Sequence, residues 1–191
     1  ECTRIVQNLL EKKIAIKHLY EDLFKTSLYH VGKLWEFNRI TVADEHVATA
    51  ITERVMSLVY PTLFNPDEPR KKKRMLVSCA ANEFHQIGGK MIADIGELNG
   101  WDSFFLGANL PADHLLAQIQ ETKPDLVGLS LSVYFNMDIL KQELEMIRTH
   151  FNHLDIIVGG QAFKWGGLDM IKRFSATEYI ATVDEIEKQI R

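Results

Sequence analysis

The residues most able to do chemistry begin with Glu83 and His85, in the run Ala81-Asn82-Glu83-Phe84-His85-Gln86-Ile87-Gly88-Gly89. Residues two apart in an extended segment fall on the same side. A carboxylate there can accept one imidazole N–H, fix the tautomer and leave the lone pair of the other nitrogen for a metal, with its basicity raised. Gly88 and Gly89 follow where a helix begins and allow something bulky to approach the backbone. Two further sites carry small residues. Ser130-Leu131-Ser132 ends one apolar run and Gly159-Gly160 the next, with 26 residues between Ser132 and Gly159. Small residues at both strand ends leave a slot between neighbouring strands, although serine and glycine also simply end strands and make turns. Nearer the start, nine residues separate Trp35 from Glu45-His46 in otherwise apolar surroundings. If buried, these three side chains need polar partners and are an expensive way to build a plain core.

The elements that must position these residues divide the chain in two. From Thr3 to about Phe64 apolar residues recur at helical spacing, as in Ile5, Leu9 and Leu10, then Leu19 and Leu23. Breaks near Lys12–Ile14, around Phe37–Thr41 and at Pro61 predict about four helices, most economically a four-helix bundle, with Thr41 as an N-cap and Asp44 and Glu45 in the first turn behind it. Asn65-Pro66-Asp67-Glu68-Pro69 cannot continue a helix, and Arg70-Lys71-Lys72-Lys73-Arg74 follows. We therefore expect a helical cap over 1–64, a linker over 65–74 and a second domain over 75–191. The basic run could form a localisation signal or a phosphate patch, and its simpler reading is a solvated linker.

Beyond Arg74, five strand-helix pairs alternate: Met75–Cys79 with Ile87–Leu98, Phe104–Leu106 with Ala112–Gln120, Leu126–Leu131 with Met137–His150, Ile156–Val158 with Leu168–Phe174, and Tyr179–Ala181 with Val183–Ile190. That pattern predicts an α/β fold, a doubly wound five-stranded parallel sheet of the flavodoxin or Rossmann-like kind. Its ligand belongs at the carboxyl ends of the strands, in the loops after Cys79, Leu106, Leu131 and Val158.

Composition excludes other classes. The chain has 191 residues, 46% hydrophobic and 25% charged, which is the make-up of a folded protein. Cys2 and Cys79 form neither a disulfide framework nor a Cys-x-x-Cys zinc motif, so a cytoplasmic location is expected. A net charge of −4 argues against nucleic acid as the partner of the whole surface. No apolar run approaches the roughly 18 residues of a membrane span. No Ser-His-Asp set, phosphate loop or paired-carboxylate site points to independent catalysis, so a binding module is favoured over an enzyme.

Together these motifs resemble the cobalamin-binding module, a helical cap followed by a doubly wound domain with Asp/Glu-x-His-x-x-Gly, Ser-x-Leu and Gly-Gly motifs. Glu83, His85 and Gly88 match the first, Ser130 starts the second, and Gly159 and Gly160 match the third. Ser132 stands where the second motif usually has leucine. The resemblance implies that His85 ligates cobalt from below, while the displaced dimethylbenzimidazole tail enters the slot beside Ser130, Ser132 and the glycine pair. The Trp-x9-Glu-His pattern is similar to the cap of the light-responsive cobalamin receptors, among them repressors of carotenoid genes. It implies that Trp35 covers the upper face, with Glu45 and His46 at the upper ligand, adenosylcobalamin as the favoured form and methylcobalamin as the alternative. In the repressors a histidine follows the tryptophan directly, whereas Glu36 stands here. Relatives in this group include proteins that also carry a bilin, and stand-alone regulators that bind partner proteins. A homo-oligomer, a regulatory partner or an output domain is implied, with no DNA-binding domain in this chain and no membrane partner. The alternative is a corrinoid methyl carrier of a methyltransferase system, which has no need of Trp35.

Overall fold

The protein is described from a computed structural model that covers residues 1–64 and 70–191. The proline-bounded stretch 65–69, expected to open the linker, lies outside the described residues. The chain forms two compact units, residues 1–65 and 66–191.

The N-terminal unit is helical. It contains α1 (Cys2–Glu11), α2 (Ile16–His18), α3 (Thr26–Glu36) and α4 (Val42–Met56), then a short 3-10 turn at Tyr60–Thr62 that Pro61 helps to start. A π-helical stretch, Leu19–Lys25, joins α2 to α3, so the chain runs as one rod from Ile16 to Glu36. The wider turn is stitched by the Thr26 hydroxyl, which donates to the Glu21 carbonyl five residues back. Leu19, Tyr20 and Phe24 on this rod are buried, as are Val6, Val55, Met56 and Val59. The breaks fall where the sequence places them, with Lys13 and Asn38 in the left-handed region after α1 and α3. Thr41 and Asp44 form a reciprocal capping box at the start of α4: each side chain accepts the other residue's backbone N–H.

The second unit alternates strand and helix throughout: β1 (Arg74–Cys79), α5 (Ile87–Leu98), β2 (Asp102–Phe105), α6 (Ala112–Thr122), β3 (Leu126–Ser130), α7 (Met137–His150), β4 (Asp155–Gly159), α8 (Leu168–Ile171), β5 (Thr177–Tyr179) and α9 (Val183–Ile190). All strand pairs are parallel, in the order β2-β1-β3-β4-β5, so the order reverses between β1 and β3. Alternation along the strands fixes two layers. One face carries Leu76, Val127, Leu129, Ile156 and Val158 and packs on Leu115 and Ile119 of α6, Leu140, Leu144 and Ile147 of α7, and Ile171 of α8. The other face, under α5 and α9, carries Val77, Gly128, Ser130, Ile157 and Gly159. β2 begins two residues earlier than its apolar residues suggest, and β5 likewise. Edge strands are held through backbone pairing to one neighbour, so polar Asp102, Ser103, Thr177 and Glu178 are accommodated.

The basic run is exposed apart from half-buried Lys71, but it is also anchored. Arg70 donates to Glu97, Asp102 and the Trp101 carbonyl, Lys71 Nζ to the Ile190 carbonyl at 2.7 Å, Lys73 to Asp125 at 2.6 Å, and Arg74 to the Thr122 carbonyl. Acidic side chains and backbone carbonyls at the amino edge of the sheet thus hold Arg70, Lys71, Lys73 and Arg74, a complement that one-dimensional charge counting does not see.

Candidate functional site

The strand order puts the crevice at the carboxyl ends of β1 and β3, and the loop after β1 fills it. Asn82 turns the chain with φ +59°; Asn109 takes its N–H and Asn136 donates to its carbonyl, tying the β1 loop to those after β2 and β3. Glu83 then points inward and is fully buried. Its Oε1 accepts the backbone N–H of His85 at 2.9 Å and meets His85 Nδ1 at 2.6 Å; its Oε2 accepts the N–H groups of Ser132 at 2.7 Å and Val133 at 2.9 Å. Burial alone would raise the Glu83 carboxyl, but these donors outweigh it and hold the group below the usual carboxylate range. Glu83 is therefore a carboxylate that can only accept, so the proton between the pair sits on Nδ1 and Nε2 carries the lone pair of the neutral ring. The His85 side chain is 56% exposed, while its carboxylate partner is inaccessible. Beneath the loop, burial and the nearby Glu83 charge push the Cys79 thiol up to about 12.

Ser130 and Gly159 are paired in register at the ends of β3 and β4, and Ser130 faces α5. A Cβ at Gly88 would meet only the Ser130 hydroxyl, at 3.8 Å, so the first turn of α5 leaves room above Ser130. Gly89 has no such freedom, since its Cβ would lie 2.9 Å from the Phe105 ring. The glycine pair is committed to the chain's own backbone. A Cβ on Gly160, at φ +112°, would lie 2.1 Å from the Leu131 carbonyl oxygen, and one on Gly159 would lie 2.9 Å from that of Ile180. Ser132 enters the site through its backbone N–H to Glu83, which any residue but proline supplies, so serine in place of leucine keeps the contact.

Glu83, His85, Gly88, Ser130, Ser132, Gly159 and Gly160 thus come together at one edge of the sheet. Among the described residues no group of three or more His, Cys, Asp or Glu forms a metal cage. A single oriented imidazole beside a slot fits a metal that brings its own planar ligand set and needs one axial nitrogen. The open position at Gly88 beside a buried hydroxyl fits an appendage reaching below the ring.

Trp35, Glu45 and His46 lie in the helical unit. Trp35 is in the last turn of α3, 48% exposed, and lines a cleft of about 480 Å³ with Asn38, Arg39, Ile40, Thr41, Val42 and Asp44. Glu45 is partly buried, with Oε1 accepting from the Thr49 hydroxyl at 2.9 Å and Oε2 at 2.7 Å from Nδ1 of His46, whose ring is exposed. Trp35 and His46 are therefore surface groups rather than core, because both stand beside the α3–α4 turn.

Sequence reasoning missed Asn109, Asn136 and Val133, whose contributions depend on neighbouring loops meeting. It also missed Glu143, buried in α7 with Oε1 accepting the Ala81 N–H at 2.9 Å. Its signal was present: a carboxylate three residues after Leu140 and four before Ile147, within the apolar stripe of a helix.

Comparison with known proteins gives consistent results. The B12 binding domain family matches residues 73–173, and a second B12 binding domain family matches residues 1–60. The chain is 26% identical over 145 residues to the HTH-type transcriptional repressor CarH of Myxococcus xanthus, covering 75% of this chain and 47% of that protein. It is 34% identical over 94 residues to the repressor CarA of the same organism, covering 48% of this chain and 31% of that protein. The chain thus spans less than half the length of these curated relatives. The monomethylamine corrinoid protein of Methanosarcina barkeri has the same fold, with a TM-score of 0.80 at 15% identity over 98% of this chain and 88% of that one.

Proposed function

The chain belongs to the B12 binding domain family and binds cobalamin, and from that premise we propose that it is a light-responsive regulatory module. The observation that supports the lower half of the site is the Glu83–His85 pair, which orients the imidazole through Nδ1 and so leaves Nε2 as the nitrogen to coordinate. His85 would hold the cobalt through Nε2, and the space beside Ser130 and Gly88 would take the nucleotide tail. Cobalamin supplies a cobalt–carbon bond that visible light breaks. What this chain does is hold the lower face rigid, with a carboxylate partner that balances any positive charge gained by the ring.

The regulatory reading is supported by Trp35, Glu45 and His46, spaced as in the light-responsive receptors, and by the likeness to the CarH and CarA repressors. We assign these three residues to the upper ligand, with adenosylcobalamin as the preferred form. Glu36 follows Trp35, so a histidine at that position is not there to capture cobalt after illumination. We further propose a cytoplasmic module acting through self-association or a regulatory partner, open to a second, bilin chromophore.

The test is the absorption spectrum of the protein with adenosylcobalamin in darkness and after green light, with size-exclusion chromatography of both samples. A lasting spectral change with altered elution, both lost in Trp35→Ala, supports the proposal; absorption in the red beyond the corrin bands reports a bilin. Binding without a light response favours the alternative, a corrinoid methyl carrier of a methyltransferase system.

A further inference from the structure

Glu143 makes no hydrogen bond to His85 or to the residues of the slot. It lies in α7 at 2% exposure, on the stripe of Leu140, Leu144 and Ile147 that fills the core. Oε1 accepts the Ala81 N–H, and Oε2 has no hydrogen-bond partner. A buried polar atom without a partner is destabilising, and a leucine here would carry no such cost. The carboxyl group's distinct contribution is its bond to Ala81.

Ala81 opens the loop that ends in His85. The next residue, Asn82, is gripped by Asn109 and Asn136, and Glu83 follows with all its donors in place. Without Glu143, Ala81 has no acceptor at this point, and the loop can pivot where it leaves β1.

We propose that Glu143 is a positioning residue for cobalt ligation: through Ala81 it holds the β1–α5 loop in the form that aims His85, firmly as a carboxylate and loosely once protonated. The proposal rests on the reading of His85 as the axial ligand.

Burial raises the Glu143 carboxyl to about 7, with the Ala81 N–H opposing. The charge-assisted bond is thus exchanged for a neutral one across the neutral range. The titratable and charged groups on the elements around it are Arg74, Cys79, Glu83 and His85 on the β1 side, Asp113, His114 and Glu121 on α6, Asp155 on β4, and Asp138, Lys141, Glu145, Arg148 and His150 on α7 itself; β3 carries none. Glu83 is held low and Cys79 high, so neither changes charge near neutrality, and the three α6 groups are exposed. His85 is the other ionisable group on the loop, and Glu143→Gln leaves it intact.

The experiment is amide hydrogen exchange over Ala81–His85 in the full chain without corrinoid, from pH 6 to 8, corrected for intrinsic rates. Wild type is expected to gain about five-fold protection with rising pH, with a midpoint near the Glu143 value, and Glu143→Gln to show a flat profile. The same profile in both proteins would overturn the proposal. Should Glu143→Gln not fold, a flat profile in wild type overturns it equally. A second readout is the nitrogen splitting from His85 in the electron paramagnetic resonance spectrum of bound cob(II)alamin. At pH 8 the His-ligated fraction should fall in Glu143→Gln; an unchanged fraction would overturn the positioning role. Failure of wild type to show nitrogen splitting at any pH would instead overturn the axial-ligand reading, whatever the exchange data show.

Discussion

Nδ1 of His85 and Oε1 of Glu83 lie 2.6 Å apart, and the same oxygen takes the His85 backbone N–H, so one carboxylate fixes both the ring and the chain that bears it. Replacing Glu83 with Gln leaves one acceptor oxygen and brings an NH2 group up against N–H donors. Folding stability should drop by about 3 kcal/mol, measured by urea unfolding at pH 7. Because the folded carboxyl sits below its ordinary value of 4.5, its contribution is present above that value and lost as pH falls through the lower, folded one. The gap between wild type and variant should therefore narrow below about pH 4.

His85→Ala removes a half-exposed ring and should shift the unfolding free energy by less than about 1 kcal/mol. Its effect belongs to the cobalt: nitrogen splitting in the cob(II)alamin spectrum should disappear. Retention of the wild-type spectrum would show that another group supplies the axial nitrogen.

Gly88 and Gly160 should separate ligand space from backbone need. Gly88→Ala meets nothing nearer than the Ser130 hydroxyl at 3.8 Å and lies in α5, so the unliganded protein should gain about 0.5–1 kcal/mol. Affinity for complete cobalamin should fall, while affinity for cobinamide, which lacks the nucleotide tail, should hold. Gly160→Ala drives a methyl group into the Leu131 carbonyl at a left-handed φ and should cost 3 kcal/mol or more, on the order of a severe steric substitution, without any ligand present. Thermal unfolding of the two variants, with calorimetric titration of both corrinoids, checks the pair.

Glu143→Gln should change the pH dependence of stability. The folded carboxyl is raised from 4.5 to about 7, so wild type has the benefit of the neutral buried group below pH 4.5 and loses it progressively as pH rises to about 7. Across that window wild type should lose about 3 kcal/mol relative to the variant. Urea midpoints of both proteins at pH 5 and pH 8 measure the difference.

Much of the second unit is legible in the sequence because its strands are short apolar runs and its helices carry clear stripes. The limits of α5, α7 and α9 coincide with those predicted, and the Thr41 cap closes as a box with Asp44. The Glu83–His85 pair is legible because two residues of an extended loop share a side. Other features are tertiary. Glu83 draws Ser132 and Val133 from 49 and 50 residues away, and Asn136 reaches Asn82 across 54. No local pattern encodes those meetings. The glycine pair reads as a ligand motif in sequence, yet the contacts it makes are with the carbonyls of Leu131 and Ile180. Trp35 and His46 are exposed although their neighbours are apolar, because helical spacing identifies a face without saying how far a turn projects.

The anchoring of Arg70 and Lys71 has a mechanical consequence. Just ahead of β1 the Lys71 backbone N–H donates to the Gly100 carbonyl, the Arg70 and Lys71 side chains to those of Trp101 and Ile190, and the Trp101 indole to the same Ile190 carbonyl. Tension arriving along the covalent chain is divided there among α5, β2 and the last turn of α9 before β1 bears any of it. These fastenings lie at the amino edge of the sheet, the full length of β1 from His85. The site is thus decoupled from loads on the backbone that leads into its domain, much as an instrument is isolated from its cable by a clamp at the housing.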